Sequence, residues 1–97
     1  MKPIFSIDVS CMTSQGIESF ANFVIGSDRQ QAIDIFRQLK GKAETNKTDM
    51  LFMTFIESHD GLPVNLEIIG CTLDQLAENC KIISREIFKL KNIDIIY

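Results

Sequence analysis

The strongest constraint on the fold is a local pattern that the chain uses twice. A strand-like segment ends at a glycine, a helix-capping residue follows, and apolar residues then recur at helical spacing. The two copies begin at Ile25–Ser27 and at Ile69–Cys71. The match fits an internal duplication, and it equally fits the plan that any strand–helix corner follows. In both cases it predicts an α+β chain with two helices.

Two strands are predicted before the first helix. In Ile4–Met12, apolar and polar residues alternate, which indicates a strand with one buried face. A polar turn at Thr13–Gly16 separates it from a second strand, Glu18–Ile25. The chain therefore begins with a pair of neighbouring strands.

The first helix has predicted signals at both of its ends. Ser27 is the predicted N-cap, and Gln30 three residues later completes a capping box. Apolar residues at helical spacing continue to Leu39, and Gly41 is the predicted stop. We expect a solvated loop over residues 42–48 to follow.

The second pair of strands is predicted on either side of a tight turn. Met50–Ser58 is apolar on both faces, whereas Leu62–Ile68 alternates and has one polar side. The Asp60–Gly61 pair between them suits a hairpin turn that needs positive φ. Pro63 lacks an amide hydrogen, so it belongs near the start of a strand or on an edge.

The second helix is the longer one. Thr72 and Gln75 form a second capping box, and the apolar stripe that follows spans about 19 residues, or roughly 28 Å. Asn92 is the predicted terminator, and Ile93–Tyr97 alternates like a short final strand.

These elements predict one domain, residues 1–97, with the order β-β-α-β-β-α-β. We expect two layers, an antiparallel sheet with both helices on one face. Without its first strand, this order resembles the ferredoxin-like βαββαβ arrangement, a resemblance of element order alone. The alternative is a duplicated ββα unit in which Ile93–Tyr97 is only a tail.

Composition excludes several classes of protein. With 45% hydrophobic and 24% charged residues, the chain is not of the disordered type. A net charge of −3 and scattered lysines disfavour nucleic-acid binding. Three cysteines without paired spacing predict no disulfide framework. With no CxxC pair and a single histidine, no metal site is expected. No Walker-A or GxGxxG pattern occurs, and no cofactor is expected. No apolar run reaches the roughly 20 residues that span a bilayer. No signal peptide is recognised, so a cytoplasmic location is expected.

Two residues are weak catalytic candidates. His59, the single histidine, has carboxylates nearby in the sequence and could act as a general base. Cys71 lies just before a predicted helix N-terminus, where the helix dipole favours a thiolate. Ordinary structural roles, a turn histidine and a small apolar residue at a corner, are the favoured interpretation of both.

Apolar residues that do not fit a one-sided core are more informative. Met50, Phe52 and Ile56 fall on the face of their strand that two helices on the other side cannot cover. On the second helix, Ile82 and Phe88 lie away from the apolar stripe. Exposed apolar patches on small domains mark interaction surfaces. We therefore predict that these five residues form an interface.

The resulting hypothesis is a non-catalytic binding or regulatory module that self-associates through an apolar sheet face. Its expected partner is a second copy, as a symmetric dimer, or another protein. The alternative is a small enzyme whose paired sheets enclose an apolar pocket for a small molecule, using His59 or Cys71.

Overall fold

A computed structural model describes residues 2–43 and 50–91. Over these residues the protein is a small α+β domain with a four-stranded antiparallel sheet and two helices. In chain order the elements are β1 (Ile4–Thr13), β2 (Gly16–Gly26), α1 (Arg29–Phe36), β3 (Leu51–His59), β4 (Leu62–Cys71) and α2 (Leu73–Leu90).

The strands lie in the order β2-β1-β3-β4, and every neighbouring pair is antiparallel. The β3–β4 turn consists of Asp60 and Gly61, whose φ angles are 53° and 81°. Positive φ at both central residues belongs to the turn type that matches the twist of a hairpin. The predicted Asp-Gly hairpin is confirmed.

The ferredoxin-like element order is not confirmed. In that arrangement β2 would lie beside β4, whereas here β1 and β3 occupy the centre of the sheet and β2 and β4 form its edges. The described elements run β-β-α-β-β-α. The predicted final strand, Ile93–Tyr97, lies outside the described residues.

The core lies between one face of the sheet and the helices. Alternate residues of the two central strands point into it, because successive side chains of a strand face opposite sides. The Phe55 ring stacks on Phe36 of α1 at 5.1 Å and on Phe5 of β1 at 5.9 Å. The other fully or nearly buried apolar members are Ile7, Val9, Ala32, Ile35, Met53, Ile69, Cys71, Leu76 and Ile83.

Helix α1 is shorter than its sequence pattern predicts. Asp28, not Ser27, is the N-cap, and its carboxylate accepts a hydrogen bond from the Gln31 amide. The helix ends at Phe36, so the predicted extension to Leu39 is wrong. In the following turn, hydrogen bonds join residues that are three apart, as in a 3₁₀-helix, including Leu39 N–H to Phe36 C=O. This tighter turn ends the α-helix.

The segment after α1 is attached to the second half of the domain. Lys42 and Gly70 exchange two backbone hydrogen bonds of 2.9 Å, so the segment forms an isolated bridge on the outer edge of β4. Gly41 lies so close that an added Cβ would stand 2.7 Å from the Gly70 carbonyl oxygen. This close approach requires glycine there.

Helix α2 matches its prediction closely. The Thr72 hydroxyl accepts from the Gln75 amide, and the Gln75 side chain accepts from the Thr72 amide, so the predicted capping box is confirmed. Asp74 in the first turn and Lys89 in the last have the charges that the helix dipole favours. Among the described helices, none is long and apolar enough to cross a membrane.

Candidate functional site

A charged cluster joins the start of α1 to the end of β3. Arg29 Nη2 donates a hydrogen bond of 2.5 Å to Glu57 Oε1, and His59 Nε2 contacts the other carboxylate oxygen. The Glu57 side chain is only 10% exposed, whereas Arg29 and His59 are about half exposed. The Arg29 guanidinium also lies over the Phe5 ring, 5.2 Å from its centroid.

The cluster stabilises the charged form of Glu57. The hydrogen bond from His59 and the nearby positive charge of Arg29 lower the pKa of Glu57 below its ordinary value of 4.5, and partial burial opposes them. Arg29 and His59 thus both engage one carboxylate. The sequence drew attention to His59 and its acidic neighbours, but nothing in it paired Arg29 with them.

The two catalytic candidates are far apart. On the β3–β4 ladder, His59 pairs with Leu62 at one end, and Leu51 pairs with Cys71 at the other. Eight residues along β3 correspond to about 27 Å at roughly 3.4 Å per residue. The structure therefore does not bring His59 and Cys71 together as a Cys/His pair.

Cys71 is the last residue of β4, immediately before the α2 N-cap, as the sequence predicts. It is buried, and its Sγ donates to the Lys40 carbonyl at 3.4 Å. The Asn79 amide lies 3.6 Å from the same sulfur. Because the thiol points into the core, a bulky reagent or substrate has little access to it.

The predicted interface residues separate into two groups. Phe52 and Ile82 are only 4% and 6% exposed, so the expectation that a second molecule must cover them is wrong. Phe52 lies on central strand β3, between Ser10 of β1 and Gly70 of β4. It is buried within a single chain.

Ile82 is buried because α2 has a second contact face. One turn on either side of it, Asn79 hydrogen-bonds to Lys40 and Glu86 hydrogen-bonds to Gln38. The segment after α1 therefore runs across this face. The apolar stripe in the sequence of α2 identifies only the helix face that packs on the sheet.

The other three predicted residues do not share a surface. Met50 and Phe88 are exposed, at 58% and 38%, and Ile56 is partly buried. Ile56 lies on the sheet face opposite the helices, whereas Phe88 belongs to the helical layer. Met50 precedes β3 at the far end from Ile56. Five predicted residues thus give no continuous patch.

A different apolar surface is exposed, on the helix side of edge strand β4. All seven residues of Leu62–Ile68 are exposed, among them Leu62 at 72%, Val64 at 55% and Leu66. Beside them runs a groove between α1 and β4, which contains two adjoining cavities of about 230 and 280 Å³. Its lining residues are Arg29, Ile33, Phe36, Arg37, Leu39, Phe55, Leu66, Glu67 and Ile69.

We call the exposed row Leu62, Val64 and Leu66 together with this groove the β4–α1 surface. The alternation in the sequence indicates only that these apolar side chains share one side of a strand whose other side is polar. Pro63 is compatible with an edge position, but nothing in the sequence shows that the first seven residues of this strand stay exposed. For that reason, the surface was missed.

The groove carries charges of both signs. Arg37 and Glu67 line both cavities, and neither forms an ion pair with another described residue. Arg29 also lines one cavity, where it is already bound to Glu57. The open charges of the groove are therefore one cation and one anion.

Among the residues that the structure describes, no group of three or more histidine, cysteine or acidic side chains is arranged to hold a metal ion. Comparison with known proteins gives no identity: no family model, no curated protein and no solved structure matches this chain.

Proposed function

We propose that this chain is a non-catalytic binding module that self-associates. The observation that supports it is the row of large apolar side chains on β4, which is exposed beside an apolar groove in a chain of this size. Contiguous exposed apolar patches on small soluble domains are typical of protein interaction sites. Burial of such side chains on association is favourable by about 25 cal/mol per Å².

A dimer interface of ordinary size fits a chain of this size. The chain exposes 6584 Å², and a typical interface covers about a tenth of a small protein's surface on each partner. Two copies would then bury roughly 1,300 Å² together, within the range of specific complexes. The proposal therefore needs no surface beyond what a chain of this size offers.

Light scattering of the unmodified chain at micromolar concentration tests the proposal. We expect about twice the chain mass of 11.0 kDa. A mass of one chain throughout the micromolar range would refute self-association.

A small enzyme is the second candidate, favoured by the contact of His59 with the Glu57 carboxylate. A histidine beside a buried carboxylate resembles the base-and-orienter pair of many active sites. The buried position of Cys71 gives thiol chemistry less support. Native mass spectrometry of freshly purified protein tests this candidate, since a small molecule that co-purifies would favour an enzyme or a ligand-binding protein.

The proposal also includes a cellular location and a class of partner. We infer that the module acts in the cytoplasm as a homodimer, and that the acidic balance of the chain, with net charge −3, makes nucleic acid an unfavourable partner.

A further inference from the structure

We propose that the β4–α1 surface binds the same surface of a second copy across a two-fold axis. This inference rests on the proposed self-association and assigns it to one surface. In such a symmetric contact, a feature of one copy meets a different feature of the other, and the reverse contact occurs as well. The surface must therefore carry two complementary features side by side.

The shape of the surface meets this requirement. The row Leu62, Val64 and Leu66 projects from β4, and the groove floored by Phe36 and Phe55 lies next to it. A cavity of about 230 Å³ has room for an inserted leucine side chain. The row of each copy can then occupy the groove of the other.

The charges of the surface are complementary as well. Arg37 and Glu67 have opposite signs and lie in the same groove. A two-fold axis can bring Arg37 of each copy to Glu67 of its neighbour, which gives two equivalent ion pairs. A ligand with charge of one sign would instead meet one of these side chains with repulsion. The groove therefore suits a partner with the same two charges.

The outer edge of β4 is unsuitable for direct strand pairing. Pro63 has no amide hydrogen to donate, and a register shift at Leu66 interrupts the regular spacing of the strand. At the other end, Lys42 already occupies the edge at Gly70. Proline, bulges and covering segments are devices that prevent edge-to-edge pairing. The association must therefore use side chains rather than backbone.

Edge strand β2 is the competing surface. Its exposed side chains Ile17, Phe20 and Val24 lie beside Ser19 and Asn22, which both hydrogen-bond to Asp8. Two register shifts interrupt the pairing of β2 with β1, so its edge is irregular. This strand supplies a matched control.

The test compares Val64→Lys with Val24→Lys. Both valines lie on edge strands and are similarly exposed, at 55% and 60%. A lysine in the interface must be desolvated, so Val64→Lys should raise the dimer dissociation constant at least about tenfold. Val24→Lys should leave the dissociation constant unchanged. Circular dichroism establishes that both variants fold.

The outcomes separate the two proposals. If Val24→Lys dissociates the dimer and Val64→Lys does not, the surface is wrongly assigned but self-association stands. If the unmodified chain is monomeric, self-association itself fails.

A charge exchange gives an independent test that does not depend on Val64. Arg37→Glu and Glu67→Arg should each weaken the dimer, because each leaves two like charges facing one another. The double variant Arg37→Glu/Glu67→Arg should restore the stability of the dimer. Equal dissociation constants for all four proteins would overturn the proposed contact.

Discussion

The side chain of Asn79 on α2 satisfies both backbone polar groups of Lys40. Its Nδ2 donates to the Lys40 carbonyl at 2.8 Å, and its Oδ1 accepts from the Lys40 amide at 2.7 Å. Asn79 is fully buried, so its amide replaces the hydrogen bonds that water would otherwise make. This pair fixes the segment after α1 against the second half of the domain.

Replacement of Asn79 by leucine should destabilise the fold. The substitution keeps the side-chain volume but leaves the amide and carbonyl of Lys40 without these partners, which costs about 1–3 kcal/mol. Chemical denaturation measures the change in the free energy of unfolding. Lys81→Leu, at an exposed position of the same helix, is the control and should change it little. Equal effects of the two variants would contradict the assigned role.

Replacement of Gly41 by alanine should also destabilise the fold, for a steric reason. The new Cβ would stand 2.7 Å from the Gly70 carbonyl oxygen, closer than real Cβ atoms approach backbone. The Lys42–Gly70 bridge must then separate. Lys42→Ala keeps the backbone bonds of that bridge and serves as the control. The account would be contradicted if the unfolding midpoint of Gly41→Ala equalled that of Lys42→Ala.

The acid stability of the protein should depend on Glu57. Its pKa is lower in the folded chain than its ordinary value of 4.5, because His59 and Arg29 bind the carboxylate. The stability that this provides is complete above pH 4.5, and it is lost as the pH falls through the lower, folded pKa. Chemical denaturation of the wild type and of Glu57→Gln at a series of pH values from 7 downward measures this contribution to the free energy of unfolding. The difference in free energy of unfolding between wild type and Glu57→Gln should shrink below pH 4.5. A difference that stays constant with pH would refute the role of the Glu57 carboxylate in acid stability.

Two thiols of the second half, Cys71 and Cys80, should react slowly with thiol reagents. Cys71 is buried and bonded to Lys40, and burial raises the pKa of the Cys80 thiol above its ordinary value of 9.0. Both should react more slowly than free cysteine at pH 8 and at the ordinary rate after unfolding. Peptide mass spectrometry after timed alkylation identifies each site. Rapid reaction of Cys71 in the folded protein would revive its proposed chemical role.

Local signals in the sequence predicted the elements well. Alternation identified β1 and β4, and Asp60–Gly61 and Thr72–Gln75 identified a turn and a helix start, because each of these signals depends on neighbouring residues only. The end of α1 was misplaced since its apolar spacing continues beyond Phe36. There the chain leaves the helix to reach Asn79, a contact between residues distant in sequence.

The candidate site could be predicted only in part. His59 was recognised with its acidic neighbour, but Arg29 reaches Glu57 from another element, and this depends on how α1 lies on the sheet. Phe52 and Ile82 were wrongly assigned to the surface because their burial depends on strand order and on the path after α1. The exposure of Leu62 and Val64 depends on the same tertiary facts.

The most direct test of the central claim is the accessibility of the β4–α1 surface as the protein concentration rises. Val64→Cys and Val24→Cys place thiols on the two edge strands, and peptide mass spectrometry follows their alkylation at nanomolar and at micromolar protein. We predict that alkylation at position 64 slows several-fold at the higher concentration, while the rate at position 24 stays constant. A constant rate at position 64, in a sample that is dimeric by light scattering, would contradict the account.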